Sequence, residues 1–148
     1  MSNISDIPIL NTDYYLIPEA HSITTIGSEK TATVAIILSS EDHELHSPLL
    51  HNILKAIQID VEKDVLFFLI QKGQSVHIST QIKEGIEQVM CFGLGIKDIG
   101  MHASFQANTF YPTESYKIML THSLAKLDAD KLKKKHLWTA LQNNFLNT

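Results

Sequence analysis

Arginine is absent from this sequence: all 12 basic side chains are lysine, set against 16 Asp and Glu, for a formal net charge of −4. Bidentate reading of phosphates and guanine edges is mostly the work of arginine's planar fork, so an acidic chain without it is poorly equipped as a dedicated DNA reader. Lysine can still contact phosphate as a point charge. Cysteine is nearly absent as well. The one thiol, Cys91, lies inside Val89-Met90-Cys91-Phe92, which excludes an internal disulfide and any cysteine-built zinc or iron–sulfur site, and reads as a buried core thiol. Long apolar runs are missing. The longest spans Val65 to Ile70, far below the ~18 residues that a membrane span needs. The opening residues Met1-Ser2-Asn3-Ile4-Ser5-Asp6 carry no basic start or signal-like apolar core, so the expectation is a cytoplasmic protein without a membrane segment. No repeat, low-complexity run or linker rich in Gly, Ser or Pro divides the 148 residues, a length that fits one domain burying roughly two-thirds of its unfolded surface.

What is present alternates between two periodicities. Residues 1–30 show no sustained pattern beyond Tyr14-Tyr15-Leu16-Ile17 before Pro18, and read as an irregular arm with one edge strand at most; residues 31–148 read as a single α/β domain. Three apolar runs, Val34-Ala35-Ile36-Ile37-Leu38, Val65-Leu66-Phe67-Phe68-Leu69-Ile70 and Val89-Met90-Cys91-Phe92, are continuous instead of alternating, as expected of parallel strands buried on both faces. A weaker fourth strand is expected from Ala103 to Phe110. Between them lie helical patterns. Ser47 as N-cap and Pro48 at the first helical position precede the stripe Leu49, Leu50, Ile53, Leu54 and Ile57. Ile82 and Ile86 mark a shorter helix, a very short connection surrounds Ile96 to Ile99, and Asp128 or Asp130 caps a last helix with Trp138, Leu141 and Phe145 on one face. The expected fold is three-layer α/β/α around a central four-stranded parallel sheet.

The motifs are weaker than the pattern. Phe92-Gly93-Leu94-Gly95-Ile96-Lys97-Asp98 follows a strand, but the third glycine of a G-x-G-x-x-G loop is replaced by Asp98, so these glycines serve a tight turn at the strand's carboxyl end. Glu41-Asp42-His43-Glu44-Leu45-His46 follows the first apolar strand, where α/β sheets bind ligands, yet it lacks the H-E-x-x-H helical frame and reads as a solvated loop with no metal or cofactor. Lys131, Lys133, Lys134 and Lys135 form a dense basic block that is either a solvated helix face or a contact for an acidic protein or a nucleic-acid backbone. No serine or cysteine is framed as a nucleophile.

Read together, Pro48-Leu49-Leu50-His51-Asn52-Ile53-Leu54-Lys55-Ala56-Ile57, Asp64-Val65-Leu66-Phe67, Val89-Met90-Cys91-Phe92-Gly93, and Thr109-Phe110-Tyr111-Pro112-Thr113 with Lys135-His136-Leu137-Trp138-Thr139-Ala140-Leu141 resemble the uracil-DNA-glycosylase superfamily over about residues 33 to 145. The resemblance implies a glycosylase-like fold. Its catalytic loops depart from the pattern: Ser39-Ser40-Glu41-Asp42 has neither Gly nor Pro, and Tyr111 stands where the superfamily has a histidine, leaving Glu41, Asp42 and Tyr111 as a degenerate site. A tyrosine of pKa ~10 donates a hydrogen bond but offers no imidazole to steady a departing uracil anion. The order and spacing of Val34 to Leu38, Ser47-Pro48-Leu49-Leu50, Ile53-Leu54-Lys55-Ala56-Ile57 and Lys63-Asp64-Val65-Leu66, with Trp138 near the end, are similar to a non-catalytic branch, the psi-subunit family of the bacterial DNA polymerase III clamp loader.

That resemblance implies an adaptor without enzymatic activity, binding replication or clamp-loader proteins through the arm, with Tyr14, Tyr15, Leu16 and Ile17 as candidate contacts and Lys131, Lys133, Lys134 and Lys135 as candidate, weak nucleic-acid contacts. The competing reading is a divergent glycosylase-like repair or nucleic-acid-binding protein, which requires Glu41 and Asp42 to converge with Tyr111.

Overall fold

The computed structural model of the chain describes residues 23–71, 74–78, 82, 84–100 and 104–146. In chain order the elements are β1 (Thr24–Gly27), β2 (Val34–Ser39), α1 (Ser40–Ala56), β3 (Val65–Ile70), β4 (Gln88–Phe92), a 3₁₀ turn (Ile96–Ile99), β5 (Tyr111–Pro112), β6 (Lys117–Thr121), α2 (Leu124–Ala129), α3 (Lys131–Leu141) and a π-type last turn (Gln142–Leu146). The three continuous apolar runs are strands, as their β-branched and aromatic content requires. Their side chains divide by the period of two. Val34, Ile36, Leu38, Val65, Phe67, Leu69, Met90 and Phe92 enter one core, and Ala35, Ile37, Leu66, Phe68, Ile70, Val89 and Cys91 enter the other.

The sheet has six strands in the order β1-β3-β2-β4-β6-β5 and is mixed. This corrects the expected four-stranded parallel sheet. Four strands, β3, β2, β4 and β6, do run parallel in the middle, but antiparallel β1 and β5 close the two sides. The fourth parallel strand also lies later than expected. Residues 104–110 carry no strand, with a turn at Ala107 and Asn108, and β6 begins at Lys117. Phe105 and Phe110 pack into opposite cores as strand alternation would place them, although their segment pairs as no strand, whereas β6 offers only Ile118-Met119-Leu120 between polar ends, too short a run to stand out.

The β2-to-β3 and β3-to-β4 crossovers run in opposite directions along the sheet and so lie on opposite faces, as the handedness of parallel crossovers demands. The path from β2 to β3 runs through α1, and α2 and α3 return to that same face, contributing Leu50, Leu54, Leu124, Leu127, Leu137 and Leu141 to one core. The other face is covered by Val76, Ile78, Ile86 and Ile99 from irregular connections, so among the described residues the long helices occupy one side only. The helix expected at Ile82 and Ile86 is reduced to a turn in which Ile82 N–H donates to the Ile78 carbonyl (3.0 Å); residues 79–81 and 83 lie outside the described residues, and residues 84–87 form no helix.

Helix α1 begins seven residues earlier than Ser47, at Ser40, with Ser39 Oγ accepting from Asp42 N–H (3.0 Å). Pro48 leaves its mark as a kink at His46 (φ −127°, ψ 19°), which separates a polar first turn from the apolar stripe. Of the two candidate caps of the last helix, Asp130 does the work, accepting from Leu132 and Lys133 N–H at 3.0 and 3.2 Å. The arm contacts expected at Tyr14, Tyr15, Leu16 and Ile17 lie outside the described residues; Thr24–Gly27, from the same 1–30 segment, pairs with β3.

Candidate functional site

The carboxyl ends of β2 and β4 meet where the connections diverge, the place at which open α/β sheets usually hold ligands. Here that place is occupied by structural hydrogen bonds. Asp42, only 7 % exposed, accepts from the Leu124 and Ala125 N–H groups through Oδ2 (2.6 Å) and Oδ1 (3.1 Å). A carboxylate at a helix start satisfies orphan amides and complements the helix dipole, so Asp42 clasps the start of α2 from a different helix. Ser123 completes the cap, its Oγ accepting from Lys126 N–H (3.3 Å). Gly93 lets β4 and β6 converge beneath: its φ is +74°, its N–H donates to the Thr121 carbonyl (2.9 Å), and a Cβ there would stand 2.9 Å from that of Ser123. The glycine-rich stretch is therefore a close-approach turn, and Asp98, at the third-glycine position, accepts from Gly95 N–H (2.8 Å) to hold it. A depression of about 210 Å³ remains here, lined by Ser39, Glu41, Asp42 itself, Leu45, His46, Ser123 and Ala125.

Tyr111 is elsewhere. It opens the edge strand β5 opposite Ile118, near the start of β6, stacks at 4.8 Å on Phe105 within the other core, and its hydroxyl accepts from Gln106 N–H (2.9 Å). The depression that Glu41 and Asp42 line receives nothing from Tyr111, so the convergence required by a degenerate catalytic site is not met there. The placement followed from taking residues 103–110 as the last parallel strand. With β6 in that place, the loop that leaves it begins at His122, which the sequence reading passed over; the usable signal was Thr121-His122-Ser123 before the Leu124, Leu127 spacing. Burial holds the His122 imidazole below its ordinary pKa, helped by Lys133 and Lys126 and opposed by Asp130. His43 is lowered by burial against Phe67 (ring centroids 5.3 Å apart) and then by His51. Beside the kink, His46 Nδ1 stands 3.8 Å from Asp128 Oδ2. No three His, Cys, Asp or Glu side chains among the described residues are grouped to hold a metal ion.

The lysine block splits by helical geometry. Lys133 turns toward Asp130 (3.1 Å), whose carboxyl it holds below the usual range, and Lys134 is half-buried, while Lys131 and Lys135 are exposed. Lys131, Lys134, Lys135 and Trp138 are three or four residues apart and share one side of α3. That side borders an apolar groove of about 290 Å³ with Leu49, Ile53 and Ala56 on the α1 wall and Leu137, Trp138 and Leu141 on the α3 wall. It exists because α1 packs on α2 and α2 on α3, leaving the second half of α1 and the body of α3 separated over the sheet. Asn52 and Lys134 complete the lining, and they too turn only apolar surface toward it.

No family model and no curated protein matches this chain. The groove is consequently read from its own chemistry. Small-molecule clefts start near ~300 Å³ and carry several convergent polar groups around an apolar body. This one is at that lower limit with no polar surface facing it, and suits apolar side chains presented by a macromolecule better than a metabolite. Among the described residues, no helix is long and apolar enough to cross a membrane.

Proposed function

We propose that this chain is a non-enzymatic adaptor of cytoplasmic replication or clamp-loader proteins, resembling the psi subunit of bacterial DNA polymerase III on a uracil-DNA-glycosylase-like frame. The observation that carries the reading is the fate of Asp42. The acid just past the carboxyl end of the first parallel strand is buried and accepts from two backbone amides of α2, so its carboxylate is engaged in holding the fold. The apolar recognition surface is on the helical face instead, between α1 and α3. An adaptor needs such a surface and no catalytic acid.

The test is affinity purification of the tagged full chain from its own cells at moderate salt, with mass spectrometry of what co-purifies. Enrichment of clamp-loader or polymerase subunits is the expected result, reduced when Tyr14, Tyr15, Leu16 and Ile17 are changed together to serine. Capture of unrelated proteins, or of none, removes the psi-like assignment.

A further inference from the structure

The two walls of the helical groove share a property that composition alone conceals. The chain as a whole is acidic, with net charge −4. Yet neither the apolar half of α1, Ser47 to Ala56, nor any residue of α3 is Asp or Glu. The same two segments carry Lys55, Lys131, Lys133, Lys134 and Lys135. Within the helices charge is sorted: carboxylates lie on the first half of α1 (Glu41, Asp42, Glu44) and at the α2–α3 junction (Asp128, Asp130), while the cations flank the groove, with Lys134 in its lining. Lys133 is neutralised by Asp130, but Lys131, Lys134 and Lys135 line up beside Trp138 on the α3 wall. Trp138 is half-buried, with its indole in the groove, although tryptophan is a residue that interfaces use as an anchor.

We infer that the groove between α1 and α3 docks an acidic amphipathic helix from a partner protein, its apolar face set between Ile53 and Trp138 and its carboxylates meeting Lys131, Lys134 and Lys135. The inference rests on the adaptor reading and adds the chemistry of the partner. Two helices spread apart over a sheet leave a trough that a third helix fills with anchors at i, i+3, i+4 and i+7. The lysines supply orientation and association rate more than raw affinity, because they are exposed or half-exposed and screened by salt. Like charges would repel a basic helix from the same trough.

Trp138 is the only tryptophan in the chain, so its fluorescence reports on the groove directly. The full chain is titrated with a synthetic amphipathic peptide of about 18 residues that has a leucine stripe and a glutamate face, and with the same peptide in which every glutamate is lysine. The expected result is a saturable blue shift with the glutamate peptide, weakened near ~1 M salt, and binding of the lysine peptide at least about tenfold weaker. The triple variant Lys131→Glu, Lys134→Glu, Lys135→Glu inverts the preference, and Ile53→Asp abolishes both shifts. Equal binding of the two peptides, or no response from Trp138, overturns the inference. So does a glutamate-peptide affinity that rises when Tyr14, Leu16 and Ile17 are changed to serine, because the chain's own acidic arm is then the occupant, and so does a Trp138 spectrum that depends on protein concentration, which assigns the groove to a second copy. The adaptor reading fails separately: replication proteins that co-purify equally with the wild type and the triple lysine variant leave it standing without this groove, and peptide binding without such co-purification does the reverse.

Discussion

The carboxyl end of the sheet and the helical groove are built on opposite principles. At the sheet end, polar groups satisfy one another: Asp42 takes two α2 amides, Ser39 and Ser123 cap their own helices, and Thr121 Oγ1 donates to Asn108 Oδ1 (2.6 Å). In the groove, Leu49, Ile53 and Trp138 remain only half-covered and no polar network closes over them. A region whose hydrogen bonds are made internally stabilises the fold, whereas one that leaves apolar side chains partly wet gains free energy only when something else covers it. The position in the fold at which ligands are usually sought is thus the structural region of this protein.

Mutations separate the two regions. The largest effect belongs to Asp42→Ala, which orphans the Leu124 and Ala125 amides and costs about 3 kcal/mol of stability in urea unfolding, with Asp42→Asn intermediate. An unchanged midpoint would mean that α2 is not held from α1. Gly93→Ala follows, at about 2 kcal/mol, because it places a Cβ at positive φ against Ser123. Next comes pH. His43 and His122 have folded pKa values below their unfolded value of about 6.5, so the unfolded chain binds more protons in between; their contribution is complete above about pH 6.5 and is lost as pH falls through that value toward the lowered ones. Stability measured from about pH 7.5 to 5 should decline. The decline should be shallower in the double variant His43→Gln, His122→Gln; an equal slope would place the proton uptake elsewhere. The smallest effect is on the groove side: Lys131→Glu and Lys135→Glu, on exposed positions, should change stability by no more than about 0.5 kcal/mol. A substantial loss there would show that these lysines serve the fold and would weaken the contrast.

Much of the architecture was legible in the residues. Val34 to Leu38, Val65 to Ile70 and Val89 to Phe92 are continuous and apolar because strands buried on both faces have no solvent side to mark, and each is found as a central parallel strand. The stripe from Leu49 to Ile57 and a cap at Asp128 or Asp130 were legible for the equally local reason that helical spacing and capping chemistry are written within one turn, and the structure chose Asp130. The last parallel strand was not. Three apolar residues at Ile118 to Leu120 become a strand only because β4 offers a ladder for Gln88 to Phe92 to pair with, and local propensity contains no information about that neighbour. Tyr111 was misplaced for the same reason, its position depending on which segment supplies the strand beside it.

The candidate site divides along the same line. Sequence by itself determined that Glu41 and Asp42 follow a buried strand, that Trp138 and Leu141 share a face of a helix that also carries a lysine block, and that the chain has no arginine. It did not determine that Asp42 reaches across 82 residues of chain to cap α2, nor that the stripes of α1 and α3 stand apart as the walls of one groove. Periodicity says which face of an element is apolar; what that face meets depends on packing between segments remote in the chain, and that was decided only by the tertiary structure.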